Sequence, residues 1–491
     1  MYGSHTADVL LQTYENVINM FDIQTKLVRL VTDNASNNLK AFQNLIIPGF
    51  EHYFDSEDNE RDEAASDTDL CSSSDDDDYE KGNSLNQVPC DHTDANFIES
   101  IRQSFDNVAL YSDFFRIPCF AHTLQLVVND GLKQASSIQS ALLKISKIAK
   151  LSHTSVLFAE KLEKIGKSIP KANKTRWNSQ FNTVDKVLRI PPSDLSEMLT
   201  SIKRMDLCLL AKDYQILNEF VSLLTLFGEA TTLTQSENTP SISFIAPTVL
   251  NIYYDLLHEQ ENILYAKSLC NALLTSLISR FAGLLEELGV VIDKSIQRKS
   301  SSELYRDQIF IYSPFLDGKF KLHWILESSL PSEIKNSLCD KIKTMVYDNC
   351  VVLMHNNSSP ETRELQATND EQSTMTTASK MNPKRKSLFS NIEFKSNKKQ
   401  KVDNYAFIHD EINTYLNDDD SESNRFILVN QSIKYKVLNQ LAKKTFTVPA
   451  TSSPVERIFS QSGFLLRQHR SKMSRKTLQM LTMLKCNHHL M

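Results

Sequence analysis

The chain has 491 residues and a mass of 56.0 kDa, enough for two to four domains or one domain with a large insertion. Hydrophobic residues make up 41% and charged residues 23%, which is globular usage and excludes collagen-like, fully disordered and disulfide-scaffold classes. The net charge of −6, with a sequence pI near 6.1, excludes a uniformly basic nucleic-acid binder but leaves room for local basic patches.

Only 10 glycines are present, and no G-x-x-x-x-G-K-[ST] or G-x-G-x-x-G string occurs, so phosphate-cradling loops are not expected. The eight cysteines are scattered without a C-x-x-C pair, which fits a thiol-keeping compartment and offers no paired zinc spacing. The start, MYGSHTADVL, lacks the pattern of a signal peptide, and no run of about 18 apolar residues predicts a membrane span. A soluble, intracellular protein is the expectation.

In chain order, residues 5–21 place Val9, Leu10, Tyr14, Val17, Ile18 and Phe21 at helical spacing. KLVRLVT (26–32) then reads as a short buried strand with Asp33 at its C-terminal end, followed by a helix over 33–42. Asp33 reads in two ways: a carboxylate at a strand end, where α/β enzymes hold metals, or an N-cap of the next helix. From Asp55 to Glu80 there are thirteen acidic residues and one basic, Arg61, so 52–95 is expected to be a disordered acidic insertion. Without it the remainder of the chain is net positive.

Order is expected to resume with a strand over 114–117, ended by Pro118, and a helix from Ala121 to Leu132. Cys119 and His122 stand about one turn apart, as a ligand pair or as packed side chains. KANKTRWNS (171–179) sets Lys171, Lys174 and Arg176 beside Trp177, a pattern for phosphate contact with base stacking or for a tryptophan anchoring a helix start. Long helices are predicted through much of 196–350. Residues 356–404 read as a polar linker carrying PKRK (383–386) and KSNKKQK (395–401), two basic clusters of nuclear-import type or simply a solvated charged linker. In the last block, Thr451, Ser452 and Ser453 before Pro454 mark a helix start with Glu456 in its first turn. A second apolar helix follows at Leu478, Leu481, Met483 and Leu484.

Taken together, GSHTA, VTDNASN, PCFAHTLQLVV, TRWNS and PATSSPVERIFSQSG resemble successive signatures of the hAT superfamily of DNA transposases and the host genes derived from them. The resemblance implies a predominantly helical α+β fold: a partial ribonuclease H-like core interrupted by a large all-α insertion domain. The corresponding division is 1–51 and 96–180 for the core, 52–95 for the acidic insertion, 181–355 for the helical insertion domain, 356–404 for the basic linker and 405–491 for the C-terminal dimerisation region. The family's chemistry uses three acids and two divalent ions. By resemblance Asp33 is the second acid and Glu456 the third, and both would hold Mg2+ if the site were complete. No other cofactor is implied.

The family's first catalytic Asp lies on a strand upstream of the GSHTA helix, and the sequence begins two residues before Gly3. The expectation is therefore a chain without that strand and without the family's BED-type zinc finger, hence a catalytically inactive, domesticated transposase. The alternative is an active transposase whose Asp-bearing strand lies outside the gene model. The resemblance further assigns His122, Lys174, Arg176 and Trp177 to DNA, with Trp177 stacking on a flipped base. It assigns Phe459, Leu481 and Leu484 to self-association, and implies a second copy and DNA as partners, with no membrane.

The basic clusters predict a nuclear protein. Replacing Lys384, Arg385, Lys386, Lys398 and Lys399 with alanine is expected to leave a fluorescent fusion cytoplasmic under the microscope; unchanged nuclear accumulation would refute the assignment.

Overall fold

The computed structural model describes residues 7–23, 27–32, 116–170, 177–235, 239–299, 301–357, 405–418, 424–465 and 473–486. The acidic insertion, the helix expected over 33–42 and the basic linker therefore lie outside the described residues. Among the described residues the fold is predominantly helical, with one two-stranded sheet.

Helix α1 (Ala7–Phe21) precedes strand β1 (Leu30–Thr32), which pairs in parallel with β2 (Arg116–Pro118). The apolar run 26–32 yields only three ladder residues. Just upstream, the Arg29 guanidinium is buried against Asp307, Nε to Oδ2 at 2.7 Å and Nη2 to Oδ1 at 3.2 Å. A buried guanidinium needs such a partner, because leaving water uncompensated is costly. Asp307 in turn caps the helix that begins at residue 308 by accepting from Ile309 N at 3.0 Å.

From β2 the chain enters α2 (Phe120–Gln134), α3 (Gln139–Thr154), α4 (Val156–Lys164), α5 (Trp177–Leu188) and α6 (Pro192–Ser201). The long helices α7 (Ala211–Thr234), α8 (Ile245–Asn262) and α9 (Lys267–Glu287) follow, then α10 (Gln308–Leu316) and α11 (Ser332–Asn357). The C-terminal part holds α12 (Ala406–Leu416), α13 (Lys436–Phe446), α14 (Ser453–Leu465) and α15 (Arg475–Cys486).

Helix α9 is the axis of the core. By length and composition it is apolar enough to cross a membrane, yet 72% of that apolar window is buried inside the fold. It packs along α2 and α8. Gly131 of α2 permits the close approach, since a Cβ there would stand 2.6 Å from Leu273 Cδ2. The helix kinks at Phe281, whose ring sits 4.5 Å from Tyr305 and 5.7 Å from Phe120. Beyond the kink, Gly283 lies against the backbone carbonyl of Ser302. Gly289, at φ +81°, then ends the helix with the left-handed turn that glycine adopts without a Cβ clash.

One contiguous apolar core runs from Ile117 to Ala450. It includes Ile408, Ile412 and Tyr415 of α12 and Val437, Leu438 and Leu441 of α13, so 405–418 and 424–450 are built into the helical body. Polar bonds fasten it there. Tyr415 Oη donates to Phe315 O at 3.0 Å. Arg425 grips the fully buried Asp317, with Nη2 to Oδ2 at 2.6 Å and Nε to Oδ2 at 3.0 Å, and also reaches Pro240 O at 3.2 Å. Asp317 receives Ser243 Oγ at 2.8 Å as well. Such a pair is strongly destabilising to break, since removing one partner strands a buried charge.

Two substitutions test this construction. Asp317→Ala is expected to cost about 3–5 kcal/mol in denaturant unfolding by leaving Arg425 without its counter-charge. Gly283→Ala places a methyl against a backbone carbonyl that cannot rotate away, and is expected to lower stability by about 1–3 kcal/mol.

Candidate functional site

The parallel strands end level with one another, in register Leu30↔Arg116, Val31↔Ile117 and Thr32↔Pro118. At this edge the chain turns into α2, and Cys119 N donates to Thr32 O at 2.7 Å. The PATS segment docks on the same turn: Phe120 N donates to Ala450 O at 2.9 Å, and Ala450 N donates to Ser241 Oγ at 3.0 Å. Cys119 Sγ donates to Thr451 Oγ1 at 3.4 Å and accepts from Ser452 N at 3.4 Å. Motifs separated by more than 300 residues in sequence thus meet at the strand tips.

The junction is polar inside. Arg116 is 1% exposed and donates Nε to Thr32 Oγ1 at 2.7 Å. Thr123 donates to Cys119 O at 3.1 Å and accepts from Tyr305 Oη at 2.9 Å. Burial pushes the Tyr305 hydroxyl far up, so it remains a protonated donor. Thr451 Oγ1 accepts from Ser453 N at 3.0 Å and lies 2.8 Å from the Ser453 hydroxyl, which satisfies donors at the start of α14.

Glu456 sits in the first turn of α14, as its spacing predicts, and is exposed, accepting from Ser452 Oγ at 3.3 Å. Asp33 follows Thr32 in the chain and lies outside the described residues. Among the described residues no three His, Cys, Asp or Glu side chains form a group able to hold a metal ion. These residues by themselves therefore do not assemble a magnesium site.

His122 is half-buried in the first turn of α2. Trp177 opens α5 but is only 6% exposed, its ring edge-on to Phe181 at 6.1 Å. The Phe181 ring in turn faces Gly228 of α7. Of the two ways to read this tryptophan, anchoring a helix start against the core describes its place in the fold. Stacking on a base would require the start of α5 to open. Lys171, Lys174 and Arg176 lie outside the described residues, as do Lys384, Arg385, Lys386, Lys398 and Lys399.

At the C-terminus α14 and α15 form a hairpin. The hydroxyls of Ser462 and Thr482 meet at 3.1 Å, and Arg457 Nη2 donates to Gln235 O at 2.8 Å at the end of α7. Phe459 is 71% exposed and Leu484 45%, joined on the outside by Ile458, Met480 and Met483. Leu481 is half-buried.

Two family models match this chain. The ZBED1 RNase-like helical domain covers residues 117–211, from β2 through α6, and the hAT family C-terminal dimerisation region covers 414–487. Both matches support a hAT transposase-derived protein. No curated protein matches it. The hAT dimerisation region is divided physically: its first half, including α13, is core, and its second half is the exposed hairpin.

The sequence pattern did not flag Cys119 as the anchor of the PATS segment, for which a buried cysteine beside a strand end gives no sequence signal.

Thr451→Val keeps the shape but removes the hydroxyl that serves Cys119 and Ser453. Denaturant unfolding is expected to show a loss of about 1–2 kcal/mol, with Thr451→Ser close to wild type.

Proposed function

We propose that this hAT-derived chain is a nuclear, non-cleaving protein that self-associates through its C-terminal hairpin and binds DNA. The observation that carries the proposal is the apolar outer face of α14 and α15. Val455, Ile458, Phe459, Met480, Met483 and Leu484 are each more than 40% exposed within 13 and 12 residues of helix. Single exposed apolar residues are ordinary, whereas a contiguous cluster on a two-helix element marks an interface. The match to the hAT dimerisation region supports a second copy as the partner, and a two-fold interface would pair the same hairpin from each chain.

Because α12 and α13 are part of the core, the full chain is the material for the test. Sedimentation of wild type at micromolar concentration is expected to show a dimer. The double variant Phe459→Asp, Leu484→Asp is expected to sediment as a monomer with an unchanged melting profile. A wild-type chain that stays monomeric at about 100 μM would place any association weaker than about −5.5 kcal/mol and refute the reading.

Absence of cleavage rests on the acids. The family's chemistry needs three, and the motif resemblance supplies counterparts for two, Asp33 and Glu456. The purified chain is expected to leave supercoiled and linear DNA intact with Mg2+ or Mn2+. Cleavage that disappears in Asp33→Ala would overturn this part of the proposal.

DNA binding is supported by local charge. Although the whole chain carries −6, residues 133–170 hold seven lysines against two glutamates.

A further inference from the structure

Among the described residues, Met20, Met205, Met480 and Met483 are each more than half exposed. Met20 lies in α1 and Met205 in the short turn between α6 and α7. The other two stand one turn apart on α15, within the apolar cluster of the C-terminal hairpin. Met480 and Leu484 occupy the side of α15 opposite Thr482, whose hydroxyl meets Ser462 of α14, and Met483 flanks them. These side chains therefore lie away from the contact with α14. By contrast, Met198 is buried, and Met345 and Met354 are half-buried.

A thioether is apolar and fits an apolar interface, but its sulfur is also the most readily oxidised atom of such a surface. With hydrogen peroxide, the sulfur lone pair attacks one peroxide oxygen and the O–O bond breaks. That oxygen stays on sulfur, its proton passes to the departing hydroxide, and water leaves. Sulfur loses two electrons and the peroxide gains them. The product sulfoxide is a strong acceptor on a side chain that was apolar, and burying it without a donor is costly.

We propose that Met480 and Met483 are a modification site for peroxide, and that their conversion to sulfoxides on the monomer prevents the hairpin from pairing with a second copy. This rests on the self-association reading above and gives that surface a redox control. Pairing covers the two sulfurs, so peroxide and a second copy compete for the same face, and a higher protein concentration protects it. Enzymatic reduction of the sulfoxides by methionine sulfoxide reductases returns the thioethers and with them the dimer.

The test uses the full chain, treated with hydrogen peroxide below and above its dimerisation midpoint. Peptide mass spectrometry follows each methionine, with Met20 and Met205 as references outside the hairpin. Met480 and Met483 are expected to oxidise as fast as the references in dilute protein and several-fold more slowly in concentrated protein. The oxidised chain is expected to sediment with dimerisation weakened at least tenfold and to recover on treatment with the reductases. The variant Met480→Leu, Met483→Leu keeps the apolar volume and is expected to remain dimeric through the same treatment. An untreated wild type that is already monomeric overturns the self-association reading and this proposal together. A dimer that survives sulfoxide formation at both positions overturns this proposal alone. So does a leucine variant that dissociates on oxidation as wild type does, or a wild type that stays monomeric after its sulfoxides are reduced. Oxidation of the pair at the same rate at both concentrations, relative to the references, removes the second copy as their cover and also overturns it.

Discussion

The architecture depends on one return of the chain. The segment 448–453 comes back to the turn between β2 and α2 and is fixed there by backbone and thiol hydrogen bonds to Cys119 and Phe120. Two three-residue strands are too short to be stable alone. They persist because α2 buries Phe120, Leu124, Val127 and Val128 against the core, because Cys119 N closes on the strand-end carbonyl of Thr32, and because the returning segment takes up Phe120 N at the start of α2. The same contact sets where α14 begins, and therefore where Glu456 and the exposed hairpin stand.

Around that junction the helices are organised by α9, which is buried over most of its circumference. A helix apolar on all sides is stable in water only when neighbours cover it, and α2, α8 and the turn at 301–304 do so. Buried ion pairs then fix which segment lies where. Arg29 with Asp307 ties the approach to β1 to the start of α10, and Arg425 with Asp317 ties the C-terminal block to its end. Apolar packing alone would tolerate sliding of these segments, whereas a buried guanidinium accepts only the position where its carboxylate waits.

The α14–α15 hairpin differs from the rest in chemistry: its apolar side chains face outward, and among its described residues only Ser453 and Thr482 are buried. An apolar outer face suits a matching protein surface, where water release drives association.

Much of this was legible in the sequence. Helical spacing located α1, α2, α14 and α15 to within a few residues, Pro118 marked the end of β2, and the order of short motifs carried the resemblance to hAT transposases. Glu456 in a first helical turn followed from Ser452, Ser453 and Pro454 alone. These are local properties, set by backbone preference and side-chain period, and a sequence states them directly. The tertiary structure decided the rest. It turned Trp177 inward onto Phe181, shortened the apolar run 26–32 to three ladder residues, absorbed α12 and α13 into the core, and made Cys119 the anchor of a segment more than 300 residues away. Each depends on which distant surfaces come together to bury apolar area and pair buried charge, and no local pattern records that choice.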